Sequence, residues 1–453
     1  MPLATIVFLG LLVRLIWGLH LPTDENSLAA LPDQVEYLHI GQSVLNGDGF
    51  AFIDPRFKDV VRAYRMPGYP LLIAACDGRV MLVRIVQALL DASTILATYL
   101  LARRWLGEGG SLAAGLFVAA NPFLIYFSGL ILSETLFTAM LMWGVTMLVT
   151  SGGPWPREPH RLVAWLGGGF LIALSIMVRP NAVALPLLLG VASAFIGPPM
   201  ANMPISDKAG RRVRWPLPIG TTFALMTIVV LIPWTSRNDG ILRGIDDKRE
   251  AENKKLGNFD AAATHQWHFL WDTTNSGITL YDGFNPSATG QSDQRFVASM
   301  ASQLRSMDEF ERSRYLSELA DEAIRQTDAA DLIKITVVKV ARTWSPIPMS
   351  EVSLGHGWTV SAALLYTIPV SILVLAGLFG KGIALSGRLF LLLTPAYFTL
   401  IVALSVGSLR YRMPAEPMMA IMAASAVSNG MLRRGLGRMR GTLSEAAPQE
   451  AVA

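Results

Sequence analysis

The chain contains 453 residues, of which 52% are apolar and only 16% are charged, and its mean hydropathy is +0.42. A typical soluble domain carries about 25% charged residues, so this composition excludes an ordinary soluble protein and predicts an integral membrane protein. The net charge of +4 is small, and the single cysteine, Cys76, excludes an intramolecular disulfide.

The first predicted element is a spanning helix from Leu3 to Leu21, which is long enough to cross a hydrocarbon core of about 30 Å. Arg14 lies within this segment, and we expect its stem to snorkel toward the far interface. We interpret the segment as an uncleaved anchor, because it lacks a basic n-region and Arg14 interrupts the apolar run; the alternative is a cleaved signal peptide. The polar stretch over residues 20–78 is then a long first external loop.

A motif of acidic residues and a tyrosine lies in this loop. On a helix, Asp33, Glu36 and Tyr37 occupy positions i, i+3 and i+4 and therefore share one face. A carboxylate and a phenol on one face can converge on a reacting hydroxyl of a substrate. The alternative is that Pro32 and Asp33 merely cap an amphipathic surface helix.

Nine further apolar runs follow, so we expect ten spans in total. The runs cover residues 79–101, 111–127, 132–149, 162–177, 182–196, 217–234, 360–378, 389–406 and 415–431. With the N-terminus inside, every predicted cytoplasmic connection is basic, as Lys and Arg favour that side. These basic residues are Arg103, Arg104, Arg157, Arg161, Lys208, Arg211, Arg212, Arg214, Lys381, Arg388, Arg433, Arg434, Arg438 and Arg440. We therefore expect a multi-pass protein of the cell (inner) membrane with both termini in the cytoplasm.

The sequence thus predicts an all-α polytopic membrane protein with about ten transmembrane helices, a long first external loop carrying amphipathic helices, and a small external mixed α/β subdomain. We divide the chain into an N-terminal transmembrane module (1–236), the external subdomain (237–355), C-terminal transmembrane helices (356–431) and a basic, disordered cytoplasmic tail (432–453). Within the subdomain, a helical pattern covers about 308–325.

Charged residues on the predicted outer side are candidates for function, because polar groups near a membrane are costly. Glu134 follows Ser133 at an external turn, so it faces the same side as Asp33; the alternative is a helix N-cap. Several arginines map to this side, and together they indicate a phosphate site, although each alone is also explained by an ion pair or a lipid headgroup. They are Arg65, Arg179, Arg237, Arg410 and Arg412.

A series of short motifs along the chain carries a family resemblance. They are Asp33-x-x-x-Tyr37, Gly47-x-Gly49, Arg65-x-Pro67-Gly68-Tyr69-Pro70, Asn121-Pro122 with Ser133-Glu134-Thr135, Arg179-Pro180-Asn181, Pro233 to Asn238, and Arg410-Tyr411-Arg412-x-Pro414. In this order they resemble the bacterial relatives of protein O-mannosyltransferases and of the lipid A aminoarabinose transferase, which are glycosyltransferases of the C superfamily. The resemblance covers most of the chain up to about Ala415.

The resemblance implies a multi-span enzyme that takes a sugar from a polyprenyl phosphate at the outer membrane face and transfers it, with inversion, to a lipid, glycan or protein of the cell envelope. By likeness, Asp33 is the first-loop acid and general base, and Glu134 is the second acid. We expect the substrates to contact Glu36, Tyr37, Arg65, Tyr69, Arg179, Arg237, Arg410 and Arg412. Gln34 departs from the family, in which many members have a second acid at this position.

Asp33 and Glu134 are also candidates for binding a divalent cation, Mg or Mn, although two carboxylates alone do not establish a metal. We expect the lipid-linked donor, the acceptor and the bilayer as partners, and no nucleic acid. Because no Gly-rich loop follows a strand, we expect no nucleotide-binding unit. A transporter or lipid-linked sugar flippase, and a noncatalytic subunit of a polysaccharide-assembly complex, remain the alternatives.

Overall fold

The computed structural model describes residues 2–152, 159–195, 219–255, 270–347, 357–428 and 430. The described residues form helices and one two-stranded antiparallel sheet. The elements up to residue 195 are α1 Pro2–His20, α2 Glu25–Leu28, α3 Pro32–Leu45, β1 Phe52–Asp54, β2 Asp59–Val61, α4 Gly68–Ala75, α5 Val80–Ala102, α6 Glu108–Ala119, α7 Pro122–Ser128, α8 Glu134–Thr150, α9 Pro159–Ser175, a 3₁₀ turn Pro180–Ala182 and α10 Leu185–Ser193. The later elements are α11 Ile219–Lys255, α12 Asn275–Phe284, α13 Arg295–Ser299, α14 Ala301–Arg305, α15 Glu309–Gln326, α16 Ala329–Thr343, α17 Gly357–Phe379, α18 Leu385–Ala403, a 3₁₀ helix Leu409–Ala415 and α19 over 416–428.

Within these ranges, each apolar run predicted to cross the membrane coincides with helical structure. Five helices are long and apolar enough to cross a membrane, and a sixth span results if the bent pair α6 and α7 counts as one. The five are Pro2–His20, Val80–Ala102, Ile219–Ala251, Thr359–Phe379 and Leu385–Ala403. The helical, multi-pass architecture is therefore confirmed, whereas the count of ten exceeds the number that meets these criteria. Arg157, the basic connection at 208–214 and the tail at 432–453 lie outside the described residues.

The first helix is fixed to its neighbours by a buried arginine. Arg14 is fully buried and pairs with Asp91 of α5. Its other nitrogens donate to the carbonyl oxygens of Val118 and Ala119, each at 3.0 Å, at the end of α6. The expectation that Arg14 snorkels to an interface is therefore wrong, because the charge is neutralised by a partner inside the bundle.

The first loop, over residues 20–78, packs against helices α12–α15. Strands β1 and β2 pair in antiparallel register, with Phe52 opposite Val61. A second hydrophobic cluster, separate from the core among the membrane helices, joins this hairpin to α12–α15. Its buried members are Ile40, Phe52, Phe57, Val61, Tyr64, Ile278, Val297, Leu304 and Leu316. The loop and the subdomain are therefore held together by apolar burial.

The segment predicted as a subdomain, residues 237–355, differs from the expected mixed α/β unit. Its described residues, 237–255 and 270–347, are helical apart from short connections, and the two strands belong to the first loop. The predicted helix at 308–325 is confirmed as α15, which begins with a capping box. The Asp308 side chain accepts from the backbone of Glu311, and the Glu311 side chain accepts from the Asp308 backbone, so both ends of the motif are satisfied.

Helix α11 runs unbroken across the predicted boundary between residues 236 and 237. Beyond the apolar part, Trp234 Nε1 donates to the Asp272 carbonyl oxygen at 2.7 Å. The Asn238 amide donates to the Leu270 carbonyl oxygen at 3.3 Å. A single helix therefore extends from the apolar layer and holds the connection that precedes α12.

Candidate active site

A cavity of about 570 Å³ lies where the first loop, the start of α8, the segment before α10, the connection before α12 and the segment after α18 meet. Pockets of 300–1,000 Å³ are typical for small ligands. Its charged lining residues are Asp33, Arg65, Arg179, Asp272, Asp282 and Arg410. Four of these six are residues predicted from the sequence to act together.

Asp33 lies in the first turn of α3, where Pro32 is at the first helical position. Its Oδ1 accepts a hydrogen bond from Arg65 Nη2 at 2.8 Å, and its Oδ2 accepts one from Arg410 Nη1. The N-cap residue of the helix is Leu31, and no side-chain capping bond forms there. The alternative in which Asp33 serves only as a helix cap is therefore not what the geometry supports.

The Arg65 guanidinium contacts all three residues of the predicted face of α3, which are Asp33, Glu36 and Tyr37. Its Nε donates to Glu36 at 3.0 Å, and the same group lies 5.1 Å from the ring centres of both Tyr37 and Tyr64. The Tyr37 hydroxyl lies 3.5 Å from Ser133 Oγ, next to the start of α8. Asp33 and Tyr37 line the cavity, whereas Glu36 lies behind Arg65 and is absent from its lining.

Glu134 is the first residue of α8 and is only 1% exposed. Its Oε1 accepts from Arg410 Nε, and Arg179 Nη1 lies 3.1 Å away. Within the described part of the chain, its Oε2 is buried without a hydrogen-bond partner. Since Arg410 also binds Asp33, one guanidinium bridges the two acids that the sequence predicted as catalytic partners.

The arginines are oriented by aromatic rings and by local backbone. The Arg179 guanidinium lies 5.4 Å from the ring centre of Tyr411 and is 9% exposed at the cavity wall. Arg410 belongs to a 3₁₀ helix whose N-cap is Ser408, and Ser408 Oγ accepts from the Arg410 backbone at 3.4 Å. Stacking on a ring leaves the edge of a guanidinium available for an anion.

The electrostatic environment shifts the pKa values of Asp33 and Glu36, the two acids of α3, in opposite directions. Burial favours the neutral form of Asp33, but Arg65 and Arg410 outweigh it and hold the pKa of Asp33 well below its usual range. Burial raises the pKa of Glu36, and the charge of Asp33 adds to this against the opposing effect of Arg65. Asp33 is therefore a firmly ionised group, while Glu36 holds a proton more readily.

Gln34 has a structural role, because its side chain makes two hydrogen bonds to backbone groups. Its Nε2 donates to the Leu28 carbonyl oxygen at 3.2 Å, and its Oε1 accepts from the Ile131 backbone at 2.9 Å. The side chain is buried and turned away from the cavity. An ionised carboxylate cannot make the first of these bonds, so only an amide joins α3 to the turn before Glu134 in this way.

Four residues predicted to contact the substrate lie outside the lining of this cavity, namely Glu36, described above, and Tyr69, Arg237 and Arg412. Arg237 stacks between the rings of Phe50 and Trp234, with ring-centre distances of 5.2 and 4.8 Å. Arg412 is buried in an ion pair with Glu416 at 2.6 Å. Tyr69 is buried behind Tyr37, and its hydroxyl lies 2.5 Å from Gln87 Oε1.

The sequence analysis did not single out the asparagines of the cavity lining as substrate contacts, and we call the part of the lining that contains them the polar wall. Asn181 and Asn275 line the cavity, and the amide oxygen of each is buried without a partner among the described residues. This wall is fixed to the first loop by Glu309, whose carboxylate accepts from the Ala63 backbone and from Thr274 Oγ1, each at 3.0 Å. The sequence signals for it were the Arg179-Pro180-Asn181 motif and the run of Thr, Asn and Ser at the start of α12.

The position between Asp33 and Glu134, for which a divalent cation was a candidate ligand, holds the side chain of Arg410. In the part of the chain that the structure describes, no group of three or more His, Cys, Asp or Glu side chains forms a candidate metal site. The Arg410 guanidinium already lies between Asp33 and Glu134 and hydrogen-bonds to both. The charge that balances these carboxylates is thus supplied by the protein.

No family model matches the sequence, and neither does any curated protein. Among solved structures, the chain is similar to the oligosaccharyltransferase AglB from Archaeoglobus fulgidus in complex with an inhibitory peptide and a dolichol-phosphate, with 12% identity and a TM-score of 0.53 over 100% of this chain and 52% of that one. The apo form of the Archaeoglobus fulgidus oligosaccharyltransferase matches with 13% identity and a TM-score of 0.51, over 99% of this chain and 53% of that one.

ArnT from Cupriavidus metallidurans bound to undecaprenyl phosphate also matches, with 14% identity over 94% of this chain and 77% of that one, at a lower TM-score of 0.38. The chain spans about half the length of the archaeal oligosaccharyltransferase chains that it matches. It has their membrane-embedded fold, so the GT-C fold predicted from the sequence is confirmed.

Proposed function

We propose that the chain is an integral membrane glycosyltransferase that moves a sugar from a polyprenyl-phosphate donor to a cell-envelope acceptor at the outer face of the membrane. The observation that carries this proposal is a cluster of ion pairs at one cavity. Asp33, Arg65, Arg179 and Arg410 line this cavity, and Glu134, which is buried outside its lining, pairs with Arg179 and Arg410. Three guanidinium groups at a cavity of this size suit a phosphate ester. The GT-C fold adds support, because it is the fold of an enzyme solved with dolichol-phosphate.

Arg179 is the best-placed contact for the donor phosphate. Its one ion pair within the described structure is with Glu134, and no other hydrogen bond commits its remaining donors there. Arg65 is the second contact, since its guanidinium also lies at the cavity wall. As the bond to the sugar breaks, negative charge grows on the leaving polyprenyl phosphate, and fixed guanidinium groups stabilise that charge.

The sugar is bound by the polar wall. The buried amide oxygens of Asn181 and Asn275 are acceptors without donors, and sugar hydroxyl groups supply such donors. Ser276 and Thr279 add hydroxyl groups at the same wall. A buried acceptor left unpaired costs about 1–3 kcal/mol, so a polyhydroxylated ligand that pairs both amides gains affinity and orientation.

Asp33 acts as the general base in this proposal. An acceptor hydroxyl or amine attacks the anomeric carbon on the face opposite the leaving phosphate, so the configuration of this carbon is inverted. The proton of the acceptor passes to Asp33. Before the donor binds, both oxygens of Asp33 are engaged. When the phosphate draws Arg65 away, Oδ1 becomes free to take the proton, while Arg410 holds the other oxygen in place.

Transport of a lipid-linked sugar is the second candidate function. Carriers place their charged residues near the middle of broken spanning helices. Here Asp33 lies in the first turn of α3, and Glu134 is the first residue of α8. The position of the acids at helix starts favours a transferase over a carrier.

The experiment is a transfer assay with purified full-length protein in nanodiscs. It uses radiolabelled sugars on polyprenyl phosphate, an extract of cell-envelope lipids and glycans as acceptor, and a nucleotide sugar in a parallel reaction. We expect label in the acceptor fraction only with the polyprenyl-linked donor. Transfer from the nucleotide sugar alone contradicts the proposal. A second preparation in liposomes tests for transport, and movement of the donor across the liposome membrane without any sugar transfer also contradicts the proposal.

A further inference from the structure

Arg410 occupies the place between two carboxylates that a bridging metal ion takes in many transferases. Its Nε donates to Glu134 Oε1, and its Nη1 donates to Asp33 Oδ2. The two acids are 101 positions apart in the chain, and the arginine comes from a third, more distant segment. The fork of a guanidinium matches two carboxylates held side by side, because its donors are fixed in one plane.

The surrounding charges oppose a second cation at this position. Arg65 pairs with Asp33 at 2.8 Å, and Arg179 pairs with Glu134 at 3.1 Å. A divalent ion bound to both acids would therefore lie among three guanidinium groups. Like charges at such separations in a partly buried site repel strongly, since little water screens them.

A Mg or Mn site also needs more free oxygen ligands than Asp33 and Glu134 provide. These ions take several oxygen ligands, and Mg is usually bound through one or two carboxylates together with water and substrate phosphate oxygens, so each carboxylate must offer a free oxygen. At this cavity, one oxygen of each acid is bound to Arg410 and the second oxygen of Asp33 is bound to Arg65. Only Glu134 Oε2 is left without a partner among the described residues.

We propose that Arg410 is a built-in replacement for a divalent cation, so that the cavity binds its donor and supports transfer without a metal ion. This inference rests on the proposed function for its catalytic part. Arg410 is a positioning residue: it fixes the spacing of Asp33 and Glu134 and leaves Asp33 Oδ1 toward Arg65 and the cavity. The charge of the two acids is balanced before any substrate arrives.

The test compares Mn²⁺ binding by electron paramagnetic resonance on chelator-treated full-length protein in nanodiscs. The variants are wild type, Asp33→Asn, Arg410→Ala, and Arg410→Ala combined with Asp33→Asn. We expect wild type and Asp33→Asn to bind the same number of Mn²⁺ ions, because Arg410 fills the place between the acids. Arg410→Ala should gain one bound Mn²⁺ per chain, and the added Asp33→Asn should remove it.

A wild type that binds one more Mn²⁺ than Asp33→Asn overturns the inference, and so does an Arg410→Ala protein that gains none. If Arg410→Ala does not insert into the membrane, Arg410→Gln removes the charge with a smaller change in volume and serves the same comparison. In the transfer assay, a chelator should change the wild-type rate by less than about twofold, and a rate that needs added Mn²⁺ or Mg²⁺ contradicts the inference. Failure of all transfer contradicts the proposed function instead, while the Mn²⁺ comparison still decides the role of Arg410.

Discussion

Arg65 Nη2 lies 2.8 Å from Asp33 Oδ1, and the same guanidinium also binds Glu36 one turn further along α3. Both acids therefore bind the Arg65 guanidinium, but only Asp33 lines the cavity, whereas Glu36 lies behind the arginine. This difference makes Glu36 a matched control for Asp33.

We predict that Asp33→Asn lowers the rate of sugar transfer by about 10²–10⁴-fold, because it keeps the size of the side chain and removes the base. Glu36→Gln should have a milder effect. The measurement is the initial rate of transfer, with thermal melting and membrane insertion of each variant recorded alongside. A well-folded Asp33→Asn protein with near wild-type turnover leaves Asp33 without a catalytic role.

Arg179→Ala should raise the KM for the polyprenyl-linked donor. A charge-assisted contact is worth about 1.5–3 kcal/mol, which corresponds to roughly a 10- to 100-fold loss of affinity. Arg237→Ala is the matched control, because Arg237 stacks on Phe50 and Trp234 away from the cavity lining. Equal losses in both variants argue against Arg179 as a specific phosphate contact.

Gln34→Glu tests the connection between α3 and the turn before α8. An ionised glutamate cannot donate to the Leu28 carbonyl oxygen, so this buried acceptor loses its partner and stability falls by about 1–3 kcal/mol. We expect a lower melting temperature and a slower transfer rate. Gln42→Glu changes an exposed residue of the same helix and should leave both quantities unchanged.

Lys339 provides a pH-dependent prediction. Its ammonium group is buried, lies 3.5 Å from the ring centre of Phe284 and has no hydrogen-bond partner among the described residues. Burial lowers the pKa of Lys339 to about 8, against the favourable charge of Asp282. Because the unfolded chain holds the proton more tightly than the folded one, stability should rise as the pH increases from about 8 to the ordinary lysine value.

We therefore expect Lys339→Met to raise the melting temperature at pH 7, and this advantage to shrink as the pH approaches 10. Lys334→Met on the exposed side of the same helix is the control and should show no such trend. An advantage of Lys339→Met that is constant across this pH range indicates a packing effect and not a charge effect.

The orientation in the membrane is tested with single cysteines in a Cys76→Ser background. Ser299→Cys in the external subdomain should react with an impermeant thiol reagent added to intact cells. Ser386→Cys, near the basic connection of Lys381 and Arg388, should react only after the cells are lysed. Both residues are exposed, so burial does not decide the result. The opposite labelling pattern inverts the predicted topology.

Hydropathy located the helices of the membrane layer well, because each apolar run is a local property of the sequence. The pairing of Arg410 with Asp33 is not local, since the chain must fold before the two residues meet. Arg410 and Arg412 look alike in the sequence, but the 3₁₀ helix directs one to the cavity and the other to Glu416. Arg14 was misassigned because its partner, Asp91, lies in another helix.

Helix α11 has a consequence for the mechanics of the cavity. It extends from the apolar layer and, through Trp234 and Asn238, holds the backbone of residues 270–272 at the polar wall. A spanning helix changes its tilt when the hydrocarbon thickness changes. Because α11 is hydrogen-bonded to this wall, we expect a change in its tilt to move the wall. The width of the cavity should therefore depend on the lipid composition of the host membrane.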